Sequence, residues 1–168
     1  MEFISSDTNI WIDFSLINKL HLPFKLPYVY LMDKDAIEDE LLSPTNLKND
    51  LIYFGLKQIE IDINELLLAE EYGKKYRKLS RYDRIALAIA KNRKIILLTG
   101  DKRLRNAAKE ELVEVIGTLG ILDRLYEFQL ITLQEYNECL ENLKKQNGKI
   151  RLPIMEIETR LKKITFKI

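Results

Sequence analysis

The sequence predicts an α/β fold, a three-layer α/β/α sandwich with a mostly parallel sheet held between helices. Three observations carry this. Strand-like and helix-like patterns alternate along the chain, the order that builds crossover units. The run from Lys94 to Thr99 has Ile-Ile-Leu-Leu at its centre, the composition of a strand covered on both faces. Two acids, Asp7 and Asp101, stand where a strand stretch hands over to a helix, as at the ligand-binding edge of open α/β sheets. At 168 residues there is room for one ordinary domain with a real core.

The elements follow in order. Glu2 to Ser6 is a short strand ending at Asp7, with a helical pattern behind it through Leu20. Tyr28 to Met32 is aromatic and β-branched enough for a second strand, and Asp35 to Leu42 reads as helix. Ile59, Ile61 and Ile63 alternate with Glu60 and Asp62, a strand with one solvated face. Asn64 to Tyr76 is helical in period. Ser80 to Lys91 is a further helix whose stretch from Ile85 to Ala90 is apolar all round and therefore buried. After the strand at 94–99, Gly100 turns the chain and Asp101 to Glu110 returns as helix. Val113 to Ile116 is the last strand, with Gly117 and Gly120 marking a loop behind it. Beyond that the pattern is helical: Thr132 with Glu135 forms a capping box, Gly148 supplies a stop, and Pro153 opens a final helix. One domain over 1–150 and a helical tail over 151–168 packed on it are expected.

Composition narrows the function. The longest apolar runs are too short to span a bilayer, and no basic segment followed by an apolar core opens the chain. A single cysteine, Cys139, excludes an internal disulfide and a cysteine-based zinc cluster; a cytoplasmic protein is expected. The net charge of +1 conceals an imbalance: from Lys74 to Lys109 there are thirteen Lys or Arg and two acids, Asp83 and Asp101. Such a stretch is either a set of solvated helix faces or a surface that attracts phosphates.

The acids suggest a site. Asp83 lies three residues after Ser80, at a helix start, where it could simply cap. Asp7 and Asp101 could cap too. Three carboxylates converging on one sheet edge are harder to explain, because two such charges about 4 Å apart cost roughly 4 kcal/mol at an effective dielectric near 20. Either a hard divalent cation among the oxygens or protonation relieves that cost. Magnesium or manganese suits an oxygen-only set, and the lone histidine, His21, lies in no ligand pattern. A fourth acid is sought among Asp33, Asp35, Glu38, Asp39 and Glu40. At 100° per residue Glu40 shares the inward arc with Ala36, Ile37 and Leu41, Glu38 borders it, and Asp39 points away, so Glu40 is chosen.

Ile4-Ser5-Ser6-Asp7-Thr8-Asn9, Ile37-Glu38-Asp39-Glu40-Leu41, Leu79-Ser80-Arg81-Tyr82-Asp83 and Leu97-Leu98-Thr99-Gly100-Asp101 resemble the four acidic motifs of PIN domains, in that family's order. The run from Val115 to Leu122 is similar to a stretch found in a prokaryotic branch that includes VapC-like toxins. The resemblance implies a sheet of about five parallel strands and hydrolysis of RNA phosphodiesters with Mg2+ or Mn2+. It implies Asp7, Glu40, Asp83 and Asp101 as metal-site and catalytic acids, and Thr8, Asn9 and Thr99 as supporting polar groups. Arg84 departs from the small residue usual after the third acid. Arg103 and Arg105, beside Asp101, are expected to contact RNA phosphates, with solvated helix charges as the alternative. A small antitoxin protein and a homodimer are the partners implied, with no membrane.

Other classes fit less well. A haloacid-dehalogenase-like phosphatase needs an acid two residues after the first, where this chain has Asn9. A receiver domain needs a lysine after a late strand. A noncatalytic RNA-binding or scaffold protein on the same fold stays open.

Overall fold

The computed structural model describes residues 1–146, 148–150 and 152–165. Its centre is a five-stranded, all-parallel sheet of β1 (Glu2–Ser6), β2 (Tyr28–Asp33), β3 (Lys57–Ile59), β4 (Ile96–Leu98) and β5 (Val115–Ile116), in the spatial order β3-β2-β1-β4-β5. Register places Ser5 beside Leu31 and Ser6 beside Leu98.

Residues alternate between the two faces of the sheet. Ile96 and Leu98 enter one core with Ile4, Tyr30 and Met32, while Leu97 enters the other. The first core is closed by α1 (Thr8–Leu16), α2 (Lys34–Glu40), α3 (Leu47–Phe54), α7 (Thr118–Glu127), α8 (Leu133–Lys145) and α9 (Ile154–Thr165). The second is closed by α4 (Ile63–Lys75), α5 (Arg81–Arg93) and α6 (Lys102–Glu110). The three-layer sandwich follows, with the apolar run from Ile85 to Ala90 buried throughout. Trp11 and Phe14 are fully buried in the first core. In α9, Ile157 and Ile164 are buried in that same core, and Arg160 clasps Asp123 of α7 with Nη2 to Oδ2 at 2.8 Å.

Several boundaries differ from the sequence reading, each for a local reason. The first helix ends at Leu16, with Asn18 in the left-handed region at φ 57°, and Leu22–Lys25 forms a short 3-10 turn. The isoleucine alternation at 59–63 breaks because Asp62 and Glu65 make a reciprocal capping box that starts α4 at Ile63, so the strand ends at Ile59. The segment after Gly117 is the helix α7, with Gly117 at its cap. Gly120 lies inside that helix, where a Cβ would stand 2.7 Å from Cγ1 of Ile116. Its small size therefore serves close packing of helix on strand. The helix α3, closed by Gly55 at φ 124°, had no counterpart among the sequence expectations.

The sheet order creates one topological switch. From β1 the chain moves outward through β2 to β3, then returns to the opposite side of β1 to lay down β4 and β5. The crevice at the carboxyl ends of β1 and β4 is where such sheets bind ligands.

Candidate active site

Asp7 ends β1 and caps α1 at this crevice. Its N–H donates to the Leu98 carbonyl at 2.9 Å, Thr8 N donates to its Oδ1 at 2.8 Å, and Thr99 Oγ1 donates to its Oδ2 at 2.9 Å. The same Thr99 hydroxyl accepts the Asp101 N–H at 3.1 Å, so one buried threonine ties the first acid to the last. Asp101 caps α6, with Leu104 N donating to its Oδ1 at 3.0 Å.

Asp83 stands at the third position of α5 in a reciprocal capping box. Its N–H donates to Ser80 Oγ at 3.2 Å, and Ser80 N donates to its Oδ2 at 3.1 Å. The cap and the site share this residue, because the negative charge of Asp83 acts on both Asp7 and Glu40. Arg84 turns away from the acids. Its Nε donates to Ser80 O at 3.2 Å, and its guanidinium lies against Gly73 of α4, where a Cβ would come within 2.1 Å. The bulky side chain after the third acid thus leaves the site uncrowded.

Glu40 is the last residue of α2 and reaches across to the start of α1, where Thr8 Oγ1 donates to its Oε1 at 2.9 Å. Asp39 departs from the expectation that it faces only water: the Tyr82 hydroxyl of α5 donates to its Oδ2. The helix ends one residue later, so its last turn lies against the start of α5. Glu38 is exposed.

A recess of about 10 Å³, enough for about one water, is lined by Ser6, Asp7, Thr8, Asp33, Glu40 and Tyr82, among others, whereas Asp83 and Asp101 do not line it. Asp33 is the acid the sequence reading weighed and set aside. It ends β2 as Asp7 ends β1, is buried, and caps α2 through Ala36 N at 3.3 Å. Burial raises its pKa. The strand-end rule that singled out Asp7 and Asp101 applies equally to Asp33. Tyr82 was missed because nothing in its sequence setting separates it from a packing aromatic.

Electrostatically the cluster is under load. Burial pushes Asp7 up to about 7, with Asp83 as the next cause and Glu40 adding in the same direction. Glu40 is raised by burial first and then, against the Thr8 hydrogen bond, by Asp83 and Asp39. A divalent cation would offset both the desolvation and the repulsion, and apart from the Met32 thioether every side-chain donor lining the recess is an oxygen. The donor chemistry therefore fits Mg2+ or Mn2+. Among the described residues, no group of three or more His, Cys, Asp or Glu side chains stands close enough to hold an ion as arranged here.

A family model described as a PIN domain matches residues 3–165. The chain belongs to the PIN-domain family. No curated protein and no solved structure matches it. PIN domains are generally nucleases, and the match extends through α9.

The remaining sequence candidates separate. Asn9, in the first turn of α1, is half-buried and makes no side-chain hydrogen bond among the described residues. Arg103 and Arg105 are both exposed on α6, but only Arg105 lines the broad groove beside Gly100 and Gly117. The structure also shows a polar pair that the sequence had not suggested. Thr118 Oγ1 donates to Asp13 Oδ2 at 2.8 Å, both residues are buried, and burial pushes Asp13 up to about 6. This bond pins the start of α7 to α1. No helix is long and apolar enough to cross a membrane among the described residues.

Proposed function

We propose that this PIN domain is a metal-dependent ribonuclease that hydrolyses RNA phosphodiesters. The observation that carries the reading is the Asp7 carboxyl, buried at the switch crevice and held up to about 7 by burial and by the charges of Asp83 and Glu40. That is a site built to be completed by positive charge. Asp7, Glu40, Asp83 and Asp101 would hold Mg2+ or Mn2+. When bound, the cation supplies Lewis acidity toward the phosphate and makes water a nucleophile at neutral pH.

The chain's own groups do the positioning. Thr99 fixes Oδ2 of Asp7, the Thr8 amide fixes Oδ1, and the Thr8 hydroxyl fixes Glu40, so each hydrogen bond removes freedom from a carboxylate. Arg103 and Arg105 contact phosphates flanking the cleaved bond. The protein works in the cytoplasm, as the toxin of a toxin–antitoxin pair, with a small protein antitoxin and a second copy of itself as partners.

Cleavage of single-stranded RNA should require added Mg2+ or Mn2+, disappear with EDTA, and be abolished by Asp101→Asn with the fold retained by circular dichroism. Full activity after exhaustive chelation overturns the metal role. RNA binding without cleavage under any divalent cation would favour the noncatalytic RNA-binding reading.

A further inference from the structure

A broad groove begins beside Asp101, at Gly100 and Lys102. Its volume is about 970 Å³, at the upper end of the range for ligand sites, and it runs between α6, the start of α7 and α9. Lys102, Arg105 and Lys109 line one wall. They fall at i, i+3 and i+7, one stripe of α6, and none makes an ion pair among the described residues. Gly117 caps α7 without a side-chain hydrogen bond. The opposite wall is α9, which contributes Glu156 and Thr159 and is fixed to α7 by Arg160 on Asp123.

Charge is distributed unevenly about the acid cluster. On the β2 side, α2 and its cap carry Asp33, Asp35, Glu38, Asp39 and Glu40 against a single Lys34. On the β4–β5 side lie Lys102, Arg105 and Lys109, with Glu156 the one acid lining the groove among the described residues. A strand whose scissile phosphate sits at the acids is repelled along α2 and attracted along α6.

We propose that the phosphates of single-stranded RNA run through this groove, with the stripe Lys102, Arg105 and Lys109 as their contacts and α9 as the far wall. The inference rests on the ribonuclease reading and extends it: the C-terminal helix helps to form the substrate track. Arg103, off the stripe, does not line the groove, so its phosphate contact is confined to the phosphates beside the cleaved bond.

The test is anisotropy of a labelled single-stranded RNA bound to the full chain in EDTA, across a salt series. The slope of log affinity against log salt should become shallower by about 2 in the triple variant K102A/R105A/K109A, at about 0.7 per lost contact. R77A/K78A/K94A, an equal charge change on exposed residues outside the groove, should leave the slope near wild type. Thr159→Trp fills the groove without changing charge and should weaken binding at least about fivefold. An unchanged slope in the groove triple, an equal loss in the control triple, or wild-type affinity in Thr159→Trp overturns the track. Any of these with cleavage intact leaves the ribonuclease reading standing, whereas a wild-type chain that neither binds nor cuts RNA removes both.

Discussion

Replacing Asp7 by Asn should stabilise the metal-free protein, and the gain should depend on pH in a defined direction. Burial, Asp83 and Glu40 move this carboxyl from the ordinary 3.8 to about 7. Between those two values the folded chain holds a proton that the unfolded chain has released, so wild-type stability falls as pH rises through this window and levels off above about 7. At about 1.4 kcal/mol per pH unit, the full penalty is about 4 kcal/mol. Asn escapes it but gives up part of the hydrogen bonding to Thr8 and Thr99, about 1 kcal/mol. The net gain at pH 8 is about 3 kcal/mol, or roughly 6–12 °C in Tm for a domain of this size. Near pH 4 the gain should vanish, because wild-type Asp7 is then neutral in the folded state. Denaturant unfolding of both proteins in EDTA from pH 4 to pH 8.5 measures this. A destabilised Asp7→Asn variant at pH 8, or a difference that does not change with pH, would show that capping α1 outweighs the charge cluster.

Two further outcomes are expected. Glu40→Gln should lower RNA cleavage by at least about two orders of magnitude at saturating Mg2+, because the amide leaves a cation's charge unbalanced. Asp39→Asn, whose amide oxygen can still accept from Tyr82, should stay within about threefold of wild type, and Glu38→Gln should be silent. A dead Glu38→Gln beside an active Glu40→Gln would refute the placement of Glu40. Thr118→Val removes the one side-chain donor to buried Asp13 among the described residues and should cost about 1–3 kcal/mol at pH 8. Since Asp13 titrates near 6 in the folded state, the loss should shrink at pH 5, where the carboxyl is protonated. Equal losses at both pH values in denaturant unfolding would contradict this origin.

What the sequence disclosed follows from which interactions are local. The strand at Ile96–Leu98, the buried run at 85–90 and the capping box at Ser80 depend on neighbours within a few residues, and each lies where periodicity and cap chemistry put it. Helical phase put Glu40 on the arc of Ala36 and Ile37, and its carboxylate does meet the Thr8 hydroxyl, but the residue is exposed, as Glu38 and Asp39 are, because the helix ends there. The pairs Tyr82–Asp39 and Thr118–Asp13 join residues 43 and 105 positions apart, and no local pattern encodes them. The groove beside α6 was hidden for the same reason. Its far wall is α9, which packs on α8, buries Ile157 and Ile164 in the core and is tied to α7 by Arg160 on Asp123, all contacts distant in sequence. Gly117 and Gly120 misled because glycine was taken for turn chemistry, whereas Gly120 makes room for Ile116.

The capping roles of these acids are compatible with the proposed catalytic ones. Asp7 and Asp101 cap α1 and α6, and Asp83 closes the box that opens α5. Each cap engages a carboxylate oxygen with a backbone N–H and so orients the group before anything binds. Stability arguments alone would place acids at those three positions. Glu40 is different. It sits at the carboxyl end of α2, where the helix dipole disfavours negative charge, and its pKa is raised by burial and by the neighbouring acids. It caps nothing, and the Thr8 hydroxyl is its one hydrogen-bond partner among the described residues. An acid placed against both its helix and its neighbours is one that a bound cation would stabilise. Of the four acids, it is therefore the one whose neutralisation separates chemistry from folding most cleanly.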